Sequence, residues 1–463
     1  MKTGKTIRWA QVAASVVMIS LLLAACAPAA TATPTVAPTS PATPTTAATP
    51  TTAAQAATET PASQTPQATA AAAATIAVEP GASIVFSGWG DATEQKIYRD
   101  SITRFNQVYP NVKVDYQPIP SDFQTKMKAA MAGGNAPDVF YVDDQLMAAF
   151  APTGQLLPLD SYMTEAGVSK SDFYPNLWSI FTYQNQTYAL PKDWGTLGLI
   201  YLPEAFTAAG IAEPTADWTW QDLQKAAVAI NNTGKYRGFC MAADWARFAP
   251  FAFGNGGLFV SQDLTKAMVD TPEVKQAAQF IADMKSSKAL ATPDEMSASW
   301  CGEAIGKQLV GMTYEGGWMV NFMNQTYPNV QWKAVPLPKG SKGFADVIFT
   351  NGLGVNAKTK YPKAAAAFAL FVTGPDNQAA ITKTGFAYST HPDQFNLITN
   401  PNDQAIASGI NSSLTRVAYW GPSTGQINTS VSKAFERIFA GQQTVDQAFA
   451  QAQTEIQGYL SGQ

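Results

Sequence analysis

The stretch Ala130–Asp160, AMAGGNAPDVFYVDDQLMAAFAPTGQLLPLD, decides the fold class. Just upstream, Ser121 and Gln124 have the spacing of a capping box, which predicts a helix that ends at Gly133–Gly134. The segment Asp138–Asp143 then predicts a short buried strand, because four apolar residues stand between two polar ends. The stretch therefore has the helix-then-strand order of an α/β domain.

Two adjacent carboxylates, Asp143 and Asp144, end this predicted strand. Ligands bind at the carboxyl ends of strands in open α/β sheets, so both are predicted ligand-binding residues. The alternative is that they cap the next helix, which runs through Ala148–Phe150. Their position in the chain leaves both interpretations open.

The residues before this stretch predict a doubly wound pattern. Ser83–Ser87 and Val112–Tyr116 read as strands, and Thr93–Val108 reads as the helix between them. Trp89 and Asp91 follow the first strand and are predicted to lie in a cleft beside the two aspartates. A packing role for Trp89 is the alternative.

The N-terminus predicts secretion and lipid anchoring. Basic residues precede an apolar run from Val12 to Ala25, so residues 1–25 are a predicted signal peptide. Leu23–Cys26 resembles a bacterial lipobox, which predicts that Cys26 carries lipid (palmitate) and anchors the chain to the outer face of the cytoplasmic membrane. Residues 26–80 are almost entirely Ala, Thr, Pro, Ser and Gln and predict a disordered tether.

The remaining residues, 81–463, are too many for one core and predict two domains. The formal net charge of −4 disfavours a nucleic-acid partner. The single histidine, His391, stands in a loop and is predicted to be a surface residue. No Ser/His/Asp set, zinc spacing or phosphate-binding glycine motif occurs, so neither enzyme activity nor a metal or cofactor is predicted. Cys240 and Cys301 are either a disulfide or two free buried thiols.

Several motifs together resemble one family. They are the opening stretch, Phe105–Tyr116, Tyr183–Tyr201, Gly311–Trp318 and Gly441–Ala448. The chain resembles the extracellular solute-binding proteins that feed ATP-driven sugar importers. The resemblance implies an α/β fold with two lobes joined by a hinge, which is the type II periplasmic-binding-protein fold. A disordered N-terminal tether is expected to precede it.

The resemblance also implies how the chain divides between the lobes. The first lobe is expected to contain residues 81–193 and 346–388, and the second lobe residues 194–345 and 389–463. The crossings between them are expected near Asp193–Thr196, Lys342–Val347 and Phe386–His391.

The chain contains 11 Trp, 16 Tyr and 24 Phe but no recognisable set of catalytic residues. This combination predicts an aromatic ligand-binding site. Sugar rings pack on aromatic planes, while carboxylates and amides bind their hydroxyls. The resemblance implies that Trp318 stacks on sugar, and that Trp420 replaces a stacking tryptophan whose aligned position is Asn428. The predicted ligand-binding residues are Trp89, Asp91, Asp143, Asp144, Asp193, Trp194, Trp245, Glu315, Trp318, Asn351 and Trp420.

The predicted function is therefore the solute-binding component of an ABC importer. It would capture a sugar or oligosaccharide as a monomer, close around it and deliver it to permease subunits, touching the membrane only through its lipid. The alternatives are a binder of a non-sugar solute, such as a glycerophosphate or polyamine, and an extracellular carbohydrate-active enzyme.

Overall fold

The structure is a computed structural model that describes residues 75–90 and 92–462. The predictions for the signal peptide, for Cys26, for the tether up to residue 74 and for Asp91 lie outside the described residues. Among the described helices, none is long and apolar enough to cross a membrane.

Strands and helices alternate along most of the described chain. The strands are β1 Ser83–Ser87, β2 Lys113–Tyr116, β3 Val139–Val142, β4 Thr182–Tyr183, β5 Gln186–Thr187, β6 Ala189–Gly195, β7 Leu197–Tyr201, β8 Arg237–Cys240, β9 Leu290–Ala291, β10 Val310–Gly316, β11 Lys333–Val335, β12 Val347–Val355 and β13 Arg416–Val417. The α-helices are α1 Ala92–Val108, α2 Phe123–Gly133, α3 Asp144–Phe150, α4 Asp160–Glu165, α5 Trp178–Phe181, α6 Pro203–Ala209, α7 Trp220–Asn232, α8 Trp245–Gly254, α9 Pro272–Ser286, α10 Cys301–Gly306, α11 Trp318–Thr326, α12 Pro362–Thr373, α13 Pro375–Thr382, α14 Pro401–Ala407, α15 Thr424–Phe439 and α16 Val445–Ser461.

The first lobe is built on a mixed sheet. Within the described residues it contains β13, β12, β3, β1 and β2 in that order, and β6 pairs with β12. β3 is parallel to β1, and β12 runs antiparallel to both β3 and β6. All four residues of β3 are buried, which explains why its sequence is continuously apolar rather than alternating. The prediction of a doubly wound start is thereby confirmed.

The second lobe has a sheet and core of its own. Its described strands follow the order β11, β7, β10, β8 and β9. Helices α15 and α16 bury one face each against this core, and α16 begins with the capping box of Thr444 and Gln447. The two-lobed periplasmic-binding-protein fold of mixed α/β type is thus confirmed.

One buried carboxylate joins two crossings between the sheets. β6 ends at Gly195 in the first sheet and β7 begins at Leu197 in the second. The return runs from β11 to β12 through Asp346, which is fully buried. Its carboxylate accepts backbone N–H bonds from Leu197 at 3.1 and 3.2 Å and from Val347 at 2.7 Å. Burial raises the pKa of Asp346 well above its usual range, although these hydrogen bonds lower it.

Beyond the predicted boundary at residue 389, the chain contacts both cores. Ile398, Ile410 and Val417 belong to the first core, whereas Ile406 and Trp420 belong to the second. The division of the chain into lobe segments stays a prediction.

Two local predictions are wrong. Helix α2 begins at Phe123 after Asp122, and no side chain caps it. Gln124 does not complete a capping box but donates from Nε2 to Asp143 Oδ2 at 2.7 Å. His391 is buried rather than exposed, because its ring packs 4.6 Å from that of Phe173 and its two nitrogens each lie 2.8 Å from a backbone carbonyl oxygen.

A disulfide ties two parts of the second lobe together. Cys240 at the end of β8 bonds to Cys301 at the start of α10, with 5.6 Å between their Cα atoms. The sequence left this pairing open.

Reduction of this disulfide is expected to lower the free energy of unfolding by about 2–5 kcal/mol, because the bridge restricts the unfolded chain. The bonded cysteines are 61 residues apart, so the closed loop is long. Urea unfolding with and without dithiothreitol measures the effect. The Cys240→Ser/Cys301→Ser double variant is the control, since reductant must leave it unchanged. Equal unfolding midpoints for the natural protein in both buffers would contradict the prediction.

Candidate functional site

A cleft of about 420 Å³ opens between the two lobes. Both lobes supply aromatic and polar side chains to it. Its lining comprises Trp89, Glu94, Lys192, Asp193, Trp194, Gly195, Gly317, Trp318, Asn321, Phe322, Gln325, Thr326, Phe349, Gly385, Phe386, Ala387, Tyr388 and Asp403. The volume is within the range of small-molecule sites.

Trp318 is a large aromatic residue of the cleft lining whose side chain stays exposed. It is 41% exposed, although its indole Nε1 donates to Glu315 Oε2 at 2.8 Å. A Cβ atom on Gly316 would overlap the indole ring, and one on Gly317 would lie 2.8 Å from the Tyr388 hydroxyl. Both glycines are therefore required for the tight passage from β10 into α11, which presents Trp318 to the cleft.

Two further tryptophans form the first-lobe side of the cleft. Trp89 is half-buried and packs edge-on against Tyr141 and Phe123, with ring centroids 5.0 and 5.1 Å away. Trp194 is almost fully buried, and its Nε1 donates to the Ser389 carbonyl at 2.6 Å. These contacts hold both rings in place without a ligand.

A buried lysine lies behind the carboxylates of the cleft. Lys192 Nζ contacts Asp193 Oδ2, lies 3.7 Å from Glu94 Oε1 and stands 4.2 Å from the centre of the Tyr141 ring. Tyr141 in turn donates its hydroxyl to Glu94 at 3.0 Å. Burial lowers the pKa of Lys192, but Asp193, Tyr98 and Glu94 together outweigh burial and raise that pKa. Lys192 therefore stays charged and fixes the two carboxylates at the cleft wall.

Glu315 lies behind Trp318 rather than at the open surface. Its side chain is 2% exposed and forms an ion pair with Arg247 Nη2 at 2.6 Å. Burial lowers the pKa of Arg247, but the charges of Glu315 and Asp244 and the hydrogen bond to Glu315 together outweigh burial and raise that pKa. Burial raises the pKa of Glu315, although its contacts with Arg247 and Trp318 lower it. The side chain of Glu315 already has two hydrogen-bond partners, Arg247 and Trp318.

Asp143 and Asp144 lie outside the cleft lining. Asp143 caps α3, because its Oδ1 accepts from the backbone N–H of Leu146 at 2.9 Å. Asp144 is half-buried beside it, and burial together with the charge of Asp143 raises the pKa of Asp144 to about 7. The contact that Asp143 makes is thus the one expected if it caps the next helix, the alternative left open by the sequence.

The other predicted residues lie near the cleft or in the core. Trp245 is half-buried, with its ring 6.0 Å from Phe349, which also contacts Trp318 at 5.8 Å. Asn351 is paired with Asp193 across β12 and β6. Trp420 is buried in the second core and donates to Asn428 Oδ1 at 2.8 Å.

The structure thus brings four predicted residues, Trp89, Asp193, Trp194 and Trp318, into one cleft. Sequence reasoning missed the other lining residues. For α11 a signal existed, since Trp318, Asn321, Phe322 and Gln325 have the spacing of one helix face. For Lys192 no signal existed, because a lysine is normally solvent-exposed.

The fold and the cleft define a two-lobed solute-binding protein. The chain belongs to the bacterial extracellular solute-binding protein family, whose sequence model matches residues 89–379. It is 22% identical over 318 residues to an uncharacterized ABC transporter extracellular-binding protein of Pyrococcus horikoshii, covering 62% of this chain and 67% of the relative. It is 24% identical over 299 residues to the diacetylchitobiose binding protein of Streptomyces coelicolor, covering 61% and 68%.

Solved structures share the fold at low identity. An ABC substrate-binding protein of Listeria monocytogenes in complex with cycloalternan has a TM-score of 0.73 and 22% identity, covering 82% of this chain and 99% of that one. A Mycobacterium tuberculosis protein in complex with glycerophosphocholine has a TM-score of 0.71 and 19% identity, covering 83% and 99%. The fold is therefore shared by proteins whose ligands differ.

Trp318 and Trp420 differ in burial, which predicts that their removal changes the free energy of unfolding by different amounts. Trp420→Ala is expected to lower the free energy of unfolding by about 3–5 kcal/mol, because it leaves a cavity in the second core. Trp318→Ala is expected to change it little, since the indole is partly open to solvent. Urea unfolding of both variants measures the contrast. A large loss of stability in Trp318→Ala would identify that residue as a packing residue.

Proposed function

We propose that this protein captures a sugar or oligosaccharide in the cleft for an ABC importer. The observation that carries the proposal is Trp318, a large aromatic ring left 41% exposed inside a cleft although its polar edge is already hydrogen-bonded. An aromatic face held open in this way suits the apolar C–H face of a pyranose ring. The saccharide-binding relatives and structural neighbours support the same ligand class.

The charges of the cleft disfavour an anionic ligand and suit a hydroxyl-rich one. Glu94 and Asp193 supply carboxylate oxygens at its wall, and such oxygens accept strong hydrogen bonds from hydroxyl groups. Among the described lining residues the one cation is Lys192, whose side chain is 1% exposed and faces those carboxylates. A phosphate group would be expected to meet accessible cations as well as a helix N-terminus. The described lining offers the N-terminus of α11 at Gly317–Trp318 but no accessible cation. This weighs against the glycerophosphate alternative.

Capture is proposed to occur by hinge closure. The lining residues come from both lobes, so rotation of one lobe toward the other would surround the ligand. The crossings that would bend lie at Gly195–Leu197 and around Asp346. The closed form would then present the surface that the permease recognises, and the ligand would be released unchanged.

The test is a thermal-shift screen of residues 75–463 with saccharides, including maltotetraose and diacetylchitobiose, and with glycerophosphocholine and spermidine as non-sugar probes. Binding to the folded state raises the melting temperature. Trp318→Ala is expected to weaken saccharide binding by about 1–3 kcal/mol. Incubation followed by chromatography checks that the saccharide is recovered intact. Stabilisation by a non-sugar probe alone would overturn the sugar proposal.

Closure is tested with the saccharide that shifts the melting temperature most. Small-angle scattering is expected to show a smaller radius of gyration at saturation, because two lobes rotate together. An unchanged radius would indicate a cleft that is already closed without ligand.

The N-terminal sequence supports a lipid anchor at Cys26 on the outer face of the cytoplasmic membrane. Cys26→Ala is expected to move the protein from the membrane fraction to the medium. Ligand affinity should stay unchanged, because the cleft is formed by residues from Trp89 onward. Fractionation of the bacterium followed by immunoblotting measures the distribution. Continued membrane attachment of the variant would contradict the proposed anchor.

A further inference from the structure

The exposed indole of Trp318 is tied to a buried ionic network. Glu315 Oε2 accepts two hydrogen bonds, one from Trp318 Nε1 at 2.8 Å and one from Arg247 Nη2 at 2.6 Å. Charge-assisted hydrogen bonds of this kind are short and strong. Glu315 Oε2 therefore fixes the polar, Nε1-bearing edge of the Trp318 indole.

Arg247 extends this network into another element. It lies in α8, which is capped by Asp244, and its Nη1 lies 3.4 Å from Asp244 Oδ2. The centre of its guanidinium group stands 5.9 Å from the centre of the Trp318 ring, within cation–π range. Trp318 is thus held through two contacts by groups on β10 and α8.

The surroundings of the ring leave it little freedom. Gly316 lies so close to one part of the ring that a Cβ atom there would overlap it, and Phe349 packs edge-on at 5.8 Å. A ring that is both hydrogen-bonded and packed keeps one orientation, whereas an unrestrained exposed tryptophan samples several rotamers.

Building on the sugar-binding function proposed above, we propose that Glu315 and Arg247 are positioning residues that set the Trp318 ring in its ligand-stacking orientation before the saccharide enters. Glu315 was predicted to bind ligand hydroxyls itself. Its 2% exposure and its two partners instead favour action through the indole. A ring that is ordered in advance loses no rotamer freedom on binding.

The first test needs no ligand. The near-ultraviolet circular dichroism of the Trp318 ring is obtained as the difference between the natural protein and Trp318→Phe. The same difference is then measured in the Glu315→Leu and Glu315→Gln backgrounds. We expect it to collapse with Glu315→Leu and to persist with Glu315→Gln, whose amide oxygen can still accept from Nε1. An unchanged difference with Glu315→Leu would overturn the proposal.

Glu315→Leu leaves Arg247 buried without its partner, so this variant is backed by a second one. Glu315→Leu combined with Arg247→Met removes both charges and keeps apolar volume. The dichroism difference is expected to collapse in this double variant as well. Its persistence in a folded double variant would likewise overturn the proposal.

The second test is a double-mutant cycle with maltotetraose and diacetylchitobiose as probes. Glu315→Leu is expected to weaken binding about 3- to 10-fold, the cost of ordering one side chain. In the Trp318→Ala background the same substitution should have no effect on affinity. An equal loss in both backgrounds would show that Glu315 acts independently of Trp318 and would overturn the proposal. If only a non-sugar probe binds the natural protein, the sugar proposal fails, while the dichroism test still decides the positioning role.

Discussion

The side chain of Asp346 holds together two chain segments that join the lobes. Its carboxylate is fully buried and is bonded by the first backbone N–H groups of β7 and β12, the strands that follow two crossings. Removing it would leave both groups buried without a partner, at a cost of about 1–3 kcal/mol each. Gly409 is held beside it, since a Cβ atom at that position would overlap the carboxylate. The relative placement of the two sheets therefore depends on this acidic group.

The two walls of the cleft are built on the same electrostatic plan. In the first lobe Lys192 holds Glu94 and Asp193, and in the second lobe Arg247 holds Glu315. A buried ion pair adds little net stability, because desolvation offsets the attraction. Such a pair does provide fixed geometry, because moving one partner leaves the other charge buried without its counter-charge. Both walls thus have their polar groups oriented before any ligand arrives.

The aromatic residues divide into those that fill the cores and those that serve the cleft. Trp420 fills a core position and satisfies its nitrogen with Asn428, the position at which family members were expected to carry a stacking ring. Phe349 lies between Trp245 and Trp318 and links the sheet of one lobe to the aromatic wall of the other. The aromatic cluster of Trp245, Phe349 and Trp318 is therefore assembled from side chains that are far apart in the chain.

The sequence by itself determined the α/β class, the opening strand–helix order and the C-terminal ends of α1 and α2, because residue patterns and glycine stops act locally. Gly134, for example, ends α2 with a positive φ of 72°. Only the tertiary structure decided that Asp143 caps a helix, that His391 is buried and that Glu315 supports a ring. The physical reason is that a polar side chain takes its role from the partner it meets, and these partners come from separate elements that only the folded lobes bring together.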